Sequence, residues 1–198
     1  MFAAVPRILL RATAIFLAGI VIKITDDFLD DFTGSDLAVR RSLAQKLGRG
    51  VAAYGLLLFA VAVSLDAVSA CTLFFAAYAV GMFKDPNLIL PTCFPAWIES
   101  LLVTTGGILL WGWQPMVSSL TVMLAVQLID DCLDQNLDWQ EQRNNLVHRW
   151  GKVEVFIMAV IATAISLQID WGKTILVLVL APVVNLVAED PRKRRSCL

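Results

Sequence analysis

Charged side chains are scarce in this chain of 198 residues: only 17% are Asp, Glu, Lys or Arg, and there is a single histidine. Soluble domains usually contain about 25% charged residues and are about half apolar, whereas 58% of this chain is hydrophobic. The formal net charge of −1 excludes a strongly basic nucleic-acid-binding protein. The composition therefore predicts an integral membrane protein with no nucleic-acid partner.

Cysteine is also scarce, and its spacing excludes two further classes of protein. The four cysteines are far apart in the sequence, and none of them forms a C-x-x-C pair. A zinc site or a disulfide framework needs such pairs or a denser set of cysteines. We therefore interpret the cysteines as packing or lipid-facing residues. Cys197 is second from the end of the sequence, so it does not form a C-a-a-X prenylation signal.

Long apolar runs are abundant, and they predict the fold. A helix needs roughly 20 apolar residues to cross about 30 Å of hydrocarbon. We expect an all-α, polytopic membrane bundle of about seven transmembrane helices, which forms a single domain over residues 1–198. The predicted spans lie at about residues 5–25, 51–67, 68–84, 88–111, 115–130, 153–170 and 172–188.

The basic residues fall mainly on one side of these predicted spans. With an external N-terminus, twelve of the sixteen Lys and Arg residues lie on the side that also holds the C-terminus. Basic loops are retained in the cytoplasm, so we expect the C-terminus to be cytoplasmic. The opposite side receives Arg7, Arg11 and Lys173, and Lys23 lies within the first span.

Two acidic segments follow the first and fifth predicted spans. Residues 26–31 read D-D-F-L-D-D and residues 130–138 read D-D-C-L-D-Q-N-L-D, so both contain D-D-x-L-D, 104 positions apart. The span count places both segments at cytoplasmic helix ends. An internal duplication explains this spacing, and we predict two similar half-repeats at about 5–110 and 115–188.

Carboxylates packed at helical spacing need a counter-charge. Like charges three or four residues apart on a helix destabilise it by roughly 0.2–0.5 kcal/mol per pair, and acidic residues at a helix C-terminus oppose the helix dipole. A divalent cation removes this repulsion. Mg²⁺ takes one or two carboxylates and completes its shell with water and phosphate oxygens. Two such clusters on one membrane face, each with a metal ion, would hold a diphosphate, and we expect a functional site here.

The second acidic segment resembles a signature of the UbiA superfamily of intramembrane prenyltransferases. That signature, D-x-x-D-x-x-x-D, matches Asp131, Asp134 and Asp138. In the family, a basic stretch that contains Leu and ends on Gly follows the signature. Here Arg143 and Gly151 lie at similar offsets in the stretch that follows.

The first acidic segment is similar to the family's other signature, N-D-x-x-D-x-x-x-D. It matches at Asp27 and Asp30, whereas Asp26 stands where Asn is usual and Gly34 stands where the third acid is expected. The sequence L-G-R-G at 47–50 also resembles a G-R step of the family. The resemblance covers about residues 8–170, and family members usually have nine spans rather than seven.

The resemblance implies a Mg²⁺-dependent prenyltransferase. An allylic isoprenyl diphosphate loses its diphosphate, and the prenyl group is transferred to an aromatic or other lipophilic acceptor. The catalytic residues that the resemblance implies are Asp27, Asp30, Asp131 and Asp134. The metal ligands that it implies are Asp26, Asp27 and Asp30 for one Mg²⁺ and Asp131, Asp134 and Asp138 for the other.

Further residues on the same predicted side are candidates for substrate binding. Arg49, Arg143 and Lys152 could bind diphosphate oxygens, and the two arginines could do so in a bidentate manner. The rings of Tyr54 and Tyr78 could shield a carbocation through cation–π contacts. Basic residues near the membrane and aromatic residues in apolar helices also occur without a substrate, so these assignments are hypotheses. The predicted partners are the isoprenyl diphosphate, a lipophilic acceptor and membrane lipids.

Three other functions remain open on the sequence. A membrane terpene cyclase would ionise the same diphosphate but quench the cation within the same molecule. A divalent-cation carrier would use the acidic clusters for transport, although carriers place their coupling acids near the bilayer midplane rather than at span ends. A shortened, inactive paralogue would serve as a structural subunit. The sequence indicates neither the prenyl chain length, nor the acceptor, nor the oligomeric state.

Overall fold

All regular structure in the described part of the chain is helical, apart from one isolated bridge between Ile89 and Pro95. This confirms the all-α class for that part. The chain divides into two compact units: unit 1 comprises Met1–Ala70 and Leu176–Leu198, and unit 2 comprises Cys71–Ile175. The computed structural model describes residues 4–32, 47–82, 89, 92–133 and 146–188.

The helices follow the predicted apolar runs, and in chain order they are α1 (Ala4–Phe32), a 3₁₀ turn (Gly48–Gly50), α2 (Val51–Leu65), α3 (Ala67–Gly81), α4 (Ala96–Trp111), α5 (Trp113–Leu133), α6 (Leu146–Trp150) and α7 (Lys152–Ala188). α1 continues beyond the predicted span and includes the first acidic segment. α4 begins later than the predicted start near residue 88, because the backbone at Pro95 is extended, with φ −68° and ψ 148°.

Three helices are long and apolar enough to cross a membrane, and they indicate a membrane protein. They are Pro6–Phe28 within α1, the whole of α5, and α7 with its 37 residues. α2, α3 and α4 are also apolar but have only 15 or 16 residues, which is about 22–24 Å of helix. The described part of the chain therefore has fewer candidate spans than the seven predicted. The difference arises because three predicted spans form short helices and two others merge into α7.

The long helix α7 contains a sharp turn at Asp170. The backbone there is extended, with φ −149° and ψ 85°, and Ser166 Oγ and Thr174 Oγ1 are 2.7 Å apart across the turn. Residues eight positions apart lie about 12 Å apart along a straight helix. The segments on either side of Asp170 therefore fold back toward each other. The Asp170 Oδ1 atom accepts a hydrogen bond from the Lys173 N–H at 3.0 Å, which caps the second segment.

Asp66 makes the equivalent turn between α2 and α3. Its backbone has φ −152° and ψ 92°, and its Oδ1 atom accepts a hydrogen bond from the Ser69 N–H at 3.2 Å. Ala62 and Ala70, eight positions apart, belong to one buried cluster. Asp66 and Asp170 are 104 positions apart, which is also the offset between the two acidic segments.

The buried faces of α1 and α5 correspond at the same offset. Because a helix buries only the face that packs, this correspondence means that the two helices present equivalent positions to their neighbours. The two half-repeats at about 5–110 and 115–188 stay a prediction. Positions on α1 and their partners 104 positions later on α5 are both buried in five pairs: Ala14 and Ser118, Ile15 and Ser119, Ala18 and Val122, Val21 and Ala125, and Ile24 and Leu128.

Two glycines allow close helix contacts, one within each unit. In unit 1, a Cβ atom at Gly19 of α1 would lie 3.1 Å from Cγ2 of Val184 in α7. In unit 2, a Cβ atom at Gly107 of α4 would lie 2.6 Å from Sδ of Met116 in α5. Both glycines therefore lie at points where a larger side chain would displace its neighbour.

Candidate functional site

The first acidic segment forms the last turns of α1. The side chain of Asp27 is 17% exposed, and Lys23 Nζ, one turn earlier, lies 3.2 Å from Asp27 Oδ1. Asp26 is exposed. Just before the acidic residues in α1, Ile24 is buried against Val51, and this contact fixes α1 beside the start of α2. Lys23 therefore offsets part of the negative charge of this segment. The spacing of four residues between Lys23 and Asp27 could have indicated this pair from the sequence.

The second acidic segment is more deeply buried where α5 ends. Asp131 is 6% exposed, and its Oδ2 atom accepts a hydrogen bond from the Leu146 N–H at 3.4 Å. Cys132 packs beside it in a buried cluster with Val147 of α6 and Val155 of α7. Asp131 therefore holds the start of α6 against the end of α5.

The predicted metal ligands are described only in part. Carboxylate oxygens are the donors that Mg²⁺ prefers, so Asp26, Asp27 and Asp131 fit this metal by their chemistry. Among the residues that the structure describes, no three acidic, His or Cys side chains lie close enough together to hold a metal ion. The first acidic segment belongs to unit 1 and the second to unit 2. The other predicted ligands have side chains outside the described residues: Asp30, Asp134 and Asp138.

The predicted substrate-binding residues have different surroundings. Lys152 is exposed at the start of α7. Tyr54 is 54% exposed on α2, and its ring lies over Gly50, where a Cβ atom would be 2.9 Å from Tyr54 Cε2. The side chains of Arg49 and Arg143 lie outside the described residues.

Tyr78 binds a buried carboxylate that the sequence analysis missed. Glu99, in the first turn of α4, is 8% exposed. The Tyr78 hydroxyl donates a hydrogen bond to Glu99 Oε2, and the Thr92 hydroxyl donates one to Glu99 Oε1. Ser100 Oγ donates to the Ala79 carbonyl at 3.1 Å, so α3 and α4 are joined at two consecutive positions. A lone Glu inside a predicted span was the signal that could have found this cluster.

A second missed cluster surrounds Lys173, which the sequence analysis counted among the external basic residues. Its side chain is completely buried. The ammonium donates hydrogen bonds to Thr72 Oγ1 at 2.8 Å, to the Pro115 carbonyl at 3.1 Å and to Ser119 Oγ. These acceptors belong to α3 and α5, so Lys173 joins α7 to both helices.

Hydroxyl groups fill the turn at Asp170 where alanines fill the turn at Asp66. Ser166 Oγ donates to the Ser118 carbonyl at 3.1 Å and contacts the Thr174 hydroxyl. The second turn therefore has a polar interior and the first an apolar one. The residues 104 positions before Ser118, Ser166 and Thr174 are Ala14, Ala62 and Ala70, and all three are buried.

The turn at Asp66 also contacts a cation, which comes from a different helix. Arg11 Nε donates to Ser69 Oγ at 3.2 Å and lies 3.8 Å from Asp66 Oδ2. Ser69 precedes Lys173 by 104 positions, and Arg11 precedes Pro115 by the same number. One cation therefore joins each turn to another helix. At the Asp66 turn the cation is Arg11, which lies on α1 and binds the turn. At the Asp170 turn it is Lys173, which follows the turn and binds α5.

These contacts are the basis on which a function can be assigned. No protein-family model matches the chain, and no curated protein or solved structure is significantly similar to it.

Proposed function

We propose that the chain is a Mg²⁺-dependent intramembrane prenyltransferase. Its substrates are an allylic isoprenyl diphosphate and an aromatic or other lipophilic acceptor. The observation that carries the proposal is the pair of D-D-x-L-D segments, 104 positions apart, at the ends of α1 and α5. Such concentrations of like charge at helix C-termini are unfavourable on their own; Lys23 offsets Asp27, and a bound divalent cation would offset the remaining carboxylates.

The equivalence of the two halves supports this function. α1 and α5 bury the same face, and each is followed by two helical segments that meet at an extended aspartate, Asp66 or Asp170. The two acidic segments therefore occupy the same position within their halves. A diphosphate with two bound metal ions is a ligand that suits two equivalent carboxylate clusters.

An apolar groove beside the second acidic segment supports the isoprenyl class of substrate. It has a volume of about 240 Å³ and is lined by α5 and the first segment of α7. Ile129, one of its lining residues, directly precedes Asp130 and Asp131 in the chain. Thr163 is the one polar side chain among the lining residues, and Phe156 and Val160 are exposed, so the groove is an open apolar surface that a prenyl chain or a membrane lipid can contact.

The chemistry follows from the charges that the residues carry. Mg²⁺ supplies positive charge that neutralises the diphosphate as it leaves. Arg49, Arg143 and Lys152 donate charge-assisted hydrogen bonds to diphosphate oxygens. The apolar helices keep water away from the allylic cation. The proposed metal-binding residues are Asp26, Asp27, Asp30, Asp131, Asp134 and Asp138.

We also propose seven membrane spans, with both acidic segments and the C-terminus in the cytoplasm. The turn at Asp170 divides α7 into two segments, which gives seven helical segments of at least 15 residues in the described part of the chain. α2 and α3 are short, but they correspond to residues 155–169 and 171–185 at the 104-residue offset. α7 is a candidate span, and this correspondence supports membrane positions for α2 and α3.

The test is an assay of purified protein with labelled allylic diphosphates, Mg²⁺ and candidate acceptors. Wild type should release diphosphate only when Mg²⁺ is present, and Asp27→Asn or Asp131→Asn should each abolish this release. Asp66→Asn is the matched control, since it removes a carboxylate outside both acidic segments but keeps the helix cap. Full turnover by either acidic-segment variant would contradict a site built from two clusters.

The products of the same assay separate the proposal from its alternatives. A prenylated acceptor supports the transferase, whereas a cyclic hydrocarbon formed without an acceptor indicates a terpene cyclase. Binding of Mg²⁺ without any diphosphate release indicates a cation carrier or an inactive subunit.

A further inference from the structure

The proposed reaction requires a residue that accepts a proton. When an aromatic or hydroxyl acceptor attacks the allylic carbon, it must lose a proton to give a neutral product. A carboxylate bound to Mg²⁺ is a weak base, because the metal ion and the proton compete for the same oxygen lone pairs. The proton acceptor is therefore expected outside the acidic segments.

Four carboxylates outside those segments have described surroundings. Asp66 and Asp170 cap the helices that follow them. Glu154 is exposed in the first turn of α7. Glu99 differs from all three because it is buried, with 8% of its surface exposed, whereas Asp66 and Asp170 are half-buried and Glu154 is exposed. The proposed base must be shielded from bulk water, and Glu99 is the one of these four carboxylates that is buried.

The hydrogen bonds to Glu99 orient the carboxylate without saturating it. One hydroxyl, from Tyr78 or Thr92, donates to each oxygen. A carboxylate oxygen has about two lone-pair positions, so each oxygen retains one that can take a proton. Thr92 is exposed whereas Glu99 is buried, so the carboxylate lies just below the protein surface. The bond from Ser100 to the Ala79 carbonyl fixes the backbone beside it.

The place of this cluster along the helices agrees with the chemistry. Glu99 lies where α4 begins, and Tyr78 lies in the last turn of α3. In the proposed topology these two helix ends face the cytoplasm, as both acidic segments do. The carboxylate is therefore at the membrane depth where the diphosphate leaves and the acceptor reacts.

We propose that Glu99 accepts the proton that the prenyl acceptor loses, with Tyr78 and Thr92 orienting its carboxylate. This assignment rests on the proposed function. The C–O bond of the allylic diphosphate breaks, and its electron pair leaves with the diphosphate. The nucleophilic atom of the acceptor forms a bond to the allylic carbon, and the proton from that atom passes to an oxygen of Glu99.

The test compares diphosphate release with product formation in the same sample. Glu99→Gln keeps the size of the side chain and an oxygen that accepts hydrogen bonds, but an amide does not take up the proton. We expect diphosphate release to continue, prenylated acceptor to fall about 100-fold, and prenyl alcohol to form by reaction with water. Tyr78→Phe should lower product about 10-fold, because it removes one orienting bond. Glu154→Gln is the matched control and should behave as wild type.

Each outcome bears on a different claim. Equal product from Glu99→Gln and wild type would overturn the role of Glu99 and leave the proposed function standing. Absence of diphosphate release by wild type would overturn the proposed function and this assignment with it. Glu99→Asp retains a carboxylate and should recover product. If Glu99→Gln and Glu99→Asp both lose diphosphate release together with product formation, Glu99 supports the fold, and its assignment as the proton acceptor is wrong.

Discussion

At the scale of single residues, two groups of cationic side chains differ in their surroundings. Lys173 and Arg11 donate to oxygens of other helices near the turns at Asp170 and Asp66. Arg143 and Lys152 follow the second acidic segment in the sequence, and we propose that they bind phosphate. The first group should affect the stability of the fold, and the second should affect ligand affinity, so mutation can separate them.

Lys173→Met should destabilise the folded protein by about 2 kcal/mol, because it removes hydrogen bonds from a buried charged donor. Thr72 and Ser119 would keep the bond between their hydroxyls but lose the ammonium. Unfolding by denaturant in detergent micelles measures the change. Lys152→Met is the matched control for stability, and because Lys152 is exposed its effect should stay within about 0.5 kcal/mol. Equal stability of the two variants would show that the Lys173 contacts contribute nothing.

Arg143→Ala should weaken the binding of a non-hydrolysable prenyl diphosphate roughly 10- to 150-fold. A charge-assisted hydrogen bond contributes about 1.5–3 kcal/mol, and about 1.4 kcal/mol corresponds to a factor of ten. Binding of Mg²⁺ without the analogue should be nearly unchanged. Calorimetry with and without the analogue measures both. If the variant and wild type bound the analogue equally, Arg143 would not belong to the site. Its assignment to the site rests on its position in the sequence.

At the scale of elements, the turns at Asp66 and Asp170 are the features that the sequence predicted best. The boundaries predicted between residues 67 and 68 and between residues 170 and 172 lie within two residues of these aspartates. The helices that accept hydrogen bonds from Lys173 could not be predicted, because Thr72 is 101 positions away along the chain. Periodicity identifies the buried face of a helix, but it does not identify the helix that covers that face.

Asp66→Ala and Asp170→Ala should each lower the free energy of unfolding by about 1 kcal/mol, because each removes a side-chain cap from the following helix. Asp66→Asn and Asp170→Asn should retain most of the stability, since Asn also caps helices well. Chemical unfolding of the four variants in one detergent provides the comparison. If Asn were as destabilising as Ala, the carboxylate charge and not the cap would be what matters.

At the scale of the whole molecule, composition was enough to predict an all-α membrane protein, whereas helix lengths were not predictable. α4 begins at Ala96 because Pro95 ends an extended stretch, and hydropathy alone does not show this. The acidic segments were visible because the same D-D-x-L-D pattern occurs twice, 104 positions apart. Glu99 is a single acid inside a predicted span, and its partners Tyr78 and Thr92 become visible only in three dimensions.

Reporter fusions test the proposed topology of the whole chain. A reporter fused after Leu198 should be cytoplasmic, and reporters inserted at Trp113 or Trp171 should be external. This follows from the excess of Lys and Arg on the side that holds the C-terminus. Reporters at Leu198 and Trp113 on the same side of the membrane would contradict the arrangement that brings the two acidic segments to one face.

The different interiors of the two turns bear on how the protein is made. The turn at Asp66 is filled with alanines, whereas the turn at Asp170 brings a buried lysine and several hydroxyls with it. A buried ammonium is costly unless oxygens accept its hydrogen bonds. The ribosome completes α3 and α5 before it reaches Lys173, so the oxygens that accept its hydrogen bonds are made before the lysine itself. One of these oxygens belongs to Thr72 of α3 and the other two to Pro115 and Ser119 of α5, so a lysine late in the chain finds all of its acceptors already synthesised.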